Sequence, residues 1–109
     1  MGLQRILASE LGQHVGERVR LMGWLHRLRK MGEINFLVVR DRSGTAQALL
    51  TPAALEPLEG LQSESVIAVE GEVVPSEQAR SGYELAQASI EVITAKVAPE
   101  DQQQAAGVI

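Results

Sequence analysis

The stretch Gly23-Trp24-Leu25-His26-Arg27-Leu28-Arg29 decides the fold, together with Ile34-Asn35-Phe36-Leu37-Val38-Val39-Arg40-Asp41-Arg42-Ser43-Gly44-Thr45-Ala46-Gln47 after a short connection. It reads as a basic strand, a turn, an apolar strand, a tight polar turn and a third strand. Val19, Leu21, Gly23 and Leu25 alternate with Arg18, Arg20, Met22, Trp24 and His26, the period of a half-buried strand over Glu17 to Arg29. Gly23 inside that pattern predicts a bulge or sharp bend, as where a sheet curls into a barrel. Lys30 to Glu33 reads as a hairpin connection, and Ile34 to Asp41 is β-branched and apolar, a second strand. Arg42-Ser43 ahead of Gly44 supplies the next turn, and Thr45 to Thr51 returns as the third strand.

Upstream, Leu3, Ile6, Leu7 and Leu11 have helical spacing that Gly12 ends, predicting a short N-terminal helix or turn. Downstream, Thr51-Pro52 is a helix start with Leu55, Leu58 and Leu61 as its buried stripe, kept short by Pro57. Ser65 to Val74 alternates again, with Val66 and Ala68 on one side and Gly71 as a second bend glycine. Pro75 to Gly82 is a polar loop, and Tyr83 to Val97 carries the last strand, with Leu85, Ile90 and Val92 turned one way. Residues 1–97 therefore form one domain, and residues 98–109 lack a packing pattern and read as a flexible tail or linker. The sum is an all-β, five-stranded Greek-key barrel of the OB-fold type, with a short N-terminal helix and a helical connection between strands 3 and 4. An SH3-like barrel competes, but its third-to-fourth connection is a tight turn.

The chain has 109 residues, room for one compact core but not for a catalytic domain beside it. No apolar run approaches the roughly 20 residues that cross a membrane, no signal-peptide layout opens the sequence, and the absence of cysteine fits a cytoplasmic protein. A net charge of −4 argues against a generic nucleic-acid binder. The total hides an asymmetry: residues 1–50 carry eight Lys/Arg against four Asp/Glu, and residues 51–109 two against ten. A local basic field is compatible with that split; so is simple solvation of exposed faces.

Pairing Asp41 with Gly44 across a two-residue turn sets Val38 opposite Gln47 and Phe36 opposite Leu49. Phe36 and Gln47 then share a face as diagonal neighbours. An exposed Phe36 stacks a splayed base, and Gln47 both donates to and accepts from a base edge. Composition by itself favours a buried Phe36 and a merely solvated Gln47. Arg27, Arg29 and Lys30 at the end of the first strand, with Arg40 and Arg42 near the next turn, can hold phosphates or simply keep a sheet edge soluble. Asp41 reads as a turn-shaping residue. His14 and His26 lack partners at metal-ligand spacing, Glu70 and Glu72 read as exposed rim, and no phosphate loop or nucleophile elbow occurs. No metal site and no catalytic residue are predicted.

Gly23-Trp24, an arginine soon after, then Phe36, Arg40-Asp41-Arg42-Ser43-Gly44 and Gln47 together resemble the N-terminal anticodon-binding OB domain of class II aspartyl-tRNA synthetases and the related asparaginyl enzymes. The resemblance covers residues 3–97 and implies an anticodon stem-loop of aspartate or asparagine tRNA as partner. It implies that Phe36 stacks the central anticodon uridine, that Gln47 reads that base or its neighbours, and that Arg29, with Arg27 as the other option, contacts the loop. It implies that a glutamate of the last strand, placed at Glu91, helps read the third anticodon base. The catalytic domain of that family, with its ATP and Mg, is absent from the sequence. The domain itself then calls for no cofactor, and the chain is expected to be monomeric. A general single-strand binder and a non-nucleic-acid interaction domain are the alternatives.

Overall fold

The computed structural model describes residues 3–61 and 65–94, and the expected tail lies outside them. Five strands, β1 (Arg18–Lys30), β2 (Asn35–Asp41), β3 (Gly44–Leu50), β4 (Val66–Pro75) and β5 (Tyr83–Thr94), close into a barrel in the order β1-β2-β3-β5-β4. The expected OB architecture is therefore present, with a 3-10 helix at Ala8–Gln13 and a second, at Ala53–Leu58, linking β3 to β4. Pairing is antiparallel except between β3 and β5, which run parallel through Gln47–Glu84 and Ala48–Leu85.

Period-two alternation fills the barrel. Val19, Leu21 and Leu25 of β1, Leu37 and Val39 of β2, Ala46, Ala48 and Leu50 of β3, Ile67, Val69 and Val73 of β4 and Leu85 of β5 are buried together. The N-terminal helix adds Leu11 and Ala8, and the connecting helix adds Leu55 and Leu58. Leu61, expected on that stripe, lies just past the helix and packs against the core half-buried.

Two local expectations come out differently. On β4 the core side is Ile67 and Val69, with Val66 half-exposed; Ile67, Ala68 and Val69 are consecutive apolar residues, so alternation by itself does not mark the inner face. At the start of β2 the exposed residue is Ile34, while Asn35 is 1 % exposed. The Asn35 amide donates to the carbonyls of Gly32 (2.9 Å) and Leu50 (3.3 Å) and accepts from the Met31 N–H (2.9 Å), a buried clamp on the β1–β2 hairpin.

The bend glycines act through close approach. A Cβ on Gly23 would sit 2.3 Å from the Arg40 carbonyl oxygen, so only glycine lets β1 and β2 meet there. The β1 bulge itself falls at His26, between Leu25 and Arg27. Gly71 lies in the β4–β5 irregularity, facing the segment that holds Gln87 at φ 51°, and a Cβ there would come within 2.9 Å of the Leu85 Cβ.

Candidate nucleic-acid interface

The two-residue turn Arg42-Ser43 gives the register expected from sequence: Asp41 pairs with Gly44, Val38 with Gln47 and Phe36 with Leu49. Phe36 also pairs with Arg29 on β1, and Val38 with Arg27. The outer face of β1-β2-β3 therefore carries two adjoining rows, Arg29–Phe36–Leu49 and Arg27–Val38–Gln47, and the second continues through the parallel pairing to Glu84 of β5. Phe36 and Gln47 are half-buried, and Arg27, Arg29 and Lys30 are exposed. Phe36 is absent from the barrel interior, where β2 contributes Leu37 and Val39.

Around Gln47 the surface dips into a pocket of about 260 Å³. His26, Arg27, Val38 and Thr45 line it, and the β4–β5 loop contributes Arg80. The Gln47 Nε2 donates to Glu84 Oε1 at 3.1 Å, which orients the amide and leaves its carbonyl oxygen for a ligand. Glu84 is only 7 % exposed although charged, and sequence inspection does not single it out. Its one local signal is an acid between Tyr83 and Leu85 at an apolar strand start; its placement depends on the long-range β3–β5 pairing.

The other expected residues lie elsewhere. Glu91 pairs through its carboxylate with the Arg20 guanidinium at 2.8 Å, and Arg20 also holds Glu70 at 2.7 Å. Both contacts raise the Arg20 pKa above its ordinary value, Glu91 most strongly. This triad spans β1, β4 and β5, away from Phe36 and Gln47. Arg42 is exposed at the β2–β3 turn, at the opposite end of β2 from Phe36 and beside the N-terminal helix.

Asp41 explains why that turn has its sequence. Its Oδ2 accepts from the Ala8 N–H at 2.8 Å, and its Oδ1 accepts from the Ser43 N–H at 2.8 Å and hydroxyl at 2.6 Å. The Ser43 hydroxyl in turn accepts from the Ser9 N–H at 3.0 Å, so the turn caps the N-terminal helix. Burial pushes the Asp41 carboxyl up, but the hydrogen bonds from Ser43, Ala8 and Gly44 outweigh it and hold the group below its ordinary value.

Comparison with known proteins gives the same frame. The sequence family described as an OB-fold nucleic acid binding domain, tRNA anti-codon type, matches residues 19–93. The chain belongs to that family. It is 38% identical over 95 residues to the asparagine–tRNA ligase of Desulforamulus reducens, covering 84% of this chain and 22% of that protein. It is 41% identical over 90 residues to the aspartate–tRNA(Asp/Asn) ligase of Aeropyrum pernix, covering 78% of this chain and 20% of that protein. Asparaginyl-tRNA synthetase from Pyrococcus horikoshii, solved with asparaginyl-adenylate, superposes with a TM-score of 0.75 at 30% identity, over 94% of this chain and 26% of that one. The chain thus spans about a fifth of the length of the curated relatives it matches. Among the described residues no cluster of three or more His, Cys, Asp or Glu could hold a metal ion, and no helix is long and apolar enough to cross a membrane.

Proposed function

We propose that this anticodon-type OB domain binds the anticodon loop of an aspartate- or asparagine-type tRNA on the outer face of β1-β2-β3. The observation that carries the reading is the placement of Phe36 and Gln47 as diagonal neighbours on one open face, flanked by Arg29 and Arg27. In this reading the Phe36 ring stacks the central base and Gln47 reads its edge, while Arg27, Arg29 and Lys30 hold the backbone. Glu84, fixed beside Gln47, takes the part of the last-strand glutamate that the resemblance assigned to Glu91, whose carboxylate is engaged by Arg20. Joined to a catalytic domain, such a module supports ATP-dependent aminoacylation carried out elsewhere.

The test is fluorescence anisotropy with a labelled anticodon stem-loop and a copy whose central uridine is adenosine. The uridine copy binds more tightly, and Phe36→Ala loses about 1–3 kcal/mol of stacking, about 5- to 150-fold in Kd. Glu84→Ala weakens discrimination and Glu91→Ala does not. Equal binding to both copies replaces this reading with a general single-strand binder, and no binding at low salt leaves an interaction domain.

A further inference from the structure

The outer face that carries Phe36 and Gln47 does not end with them. One step further along β2, Arg40 pairs with Trp24 of β1 and with Thr45 of β3, a third row, Trp24–Arg40–Thr45. The bulge at His26 brings Trp24 to this face. It adds one residue to β1, so Trp24 and Arg27 lie on the same side of the sheet, while Leu25 between them is buried. Thr45 also lines the pocket around Gln47, so the third row is continuous with the second.

Trp24 is the chain's single tryptophan, and it is 39% exposed. The Arg40 guanidinium lies 5.7 Å from its ring centroid, a cation–π contact that restrains the indole. Along β2 the rows of Phe36 and Arg40 are about 13 Å apart, with the Gln47 row midway. Two aromatics with a base-reading amide between them suit a face that stacks bases in succession, and one OB fold covers about four nucleotides or more. Beyond Trp24, towards the N-terminal helix, the surface mixes Arg5 and Arg42 with Glu10 and Asp41. That mixture offers phosphate little net attraction, so the contribution open to Trp24 is stacking and not backbone binding.

We propose that Trp24, restrained by Arg40, is a second stacking platform. It takes a base of the same loop, on the far side of Gln47 from the base on Phe36. The inference rests on the anticodon-loop reading and adds to it a residue that contributes affinity without base identity.

One titration tests both readings and separates them. Labelled anticodon stem-loop is mixed with the 109-residue chain while loop anisotropy and Trp24 emission are followed together. Binding quenches Trp24 emission about twofold, a readout on the unmodified chain that depends on no variant folding. Trp24→Ala weakens binding about 5- to 30-fold for the uridine and adenosine copies alike and leaves the salt slope unchanged, and Trp24→Phe restores most of the loss. Circular dichroism checks that both variants keep the barrel. In a scan with abasic nucleotides, the base on Trp24 is the one whose removal makes Trp24→Ala silent. Anisotropy that saturates with Trp24 emission unchanged, or Trp24→Ala binding as tightly as the parent, overturns the inference and leaves the anticodon reading standing. No change in anisotropy at low salt overturns both.

Discussion

Replacing Asp41 by alanine removes the carboxylate that joins the β2–β3 turn to the N-terminal helix. Ala8 is 3 % exposed, so its N–H loses its acceptor where water has little access. Hydrogen bonds to a charged group contribute about 1.5–3 kcal/mol, and the better solvated Ser43 contacts add about 0.5–1 kcal/mol. The expected loss at neutral pH is about 2–4 kcal/mol, or about 1–2 M in the urea midpoint for a domain of this size. The pH dependence follows from the depressed carboxyl. Its stabilisation is fully present above the ordinary value of 3.8 and is lost as pH falls through the lower folded-state value. Urea titrations at neutral pH and at about pH 3 read both effects, and the gap between parent and variant narrows in acid. A loss under about 0.5 kcal/mol at neutral pH, or a gap independent of pH, refutes the capping argument.

Asn35→Ala removes a buried clamp with three hydrogen bonds and costs about 2–4 kcal/mol by urea denaturation; it also loosens the hairpin bearing Arg29 and Lys30, seen as faster amide exchange at Met31. Gly23→Ala forces a Cβ onto the Arg40 carbonyl and costs about 2–3 kcal/mol in the same assay; a cost below about 0.5 kcal/mol would contradict the close approach. A double-mutant cycle on Gln47→Ala and Glu84→Ala gives a coupling of about 1 kcal/mol, and additive effects would show that their hydrogen bond carries no energy.

The strands and their register were legible because alternation and a two-residue turn are local signals, and the pairing of Phe36 with Leu49 followed from the turn alone. Asn35 was not legible, since its burial depends on three carbonyl and amide partners that only the closed hairpin assembles. The inner face of β4 was hidden by the run Ile67-Ala68-Val69, in which either parity is apolar. Glu84 was hidden because a parallel pairing between β3 and β5 joins residues 37 positions apart. The Arg-Asp-Arg-Ser-Gly motif was visible as a signature, but its work as a cap on a distant helix emerges only when Ala8 is placed.

Charge completes the argument for where nucleic acid would bind. The acidic second half of the chain does not cover the basic first half uniformly. Glu70 and Glu91 are drawn to Arg20, on the part of β1 that pairs with β4. The β4 pairing of β1 ends at Trp24, where pairing with β2 has already begun, and beyond the His26 bulge Arg27, Arg29 and Lys30 pair with Val38, Phe36 and Asn35 of β2. A net charge of −4 therefore coexists with a basic strip next to Phe36. Such a strip neutralises few phosphates, so the salt dependence of binding is shallow compared with that of a strongly basic protein. In the proposed reading affinity then rests largely on stacking at Phe36, and discrimination between bases on Gln47 held by Glu84.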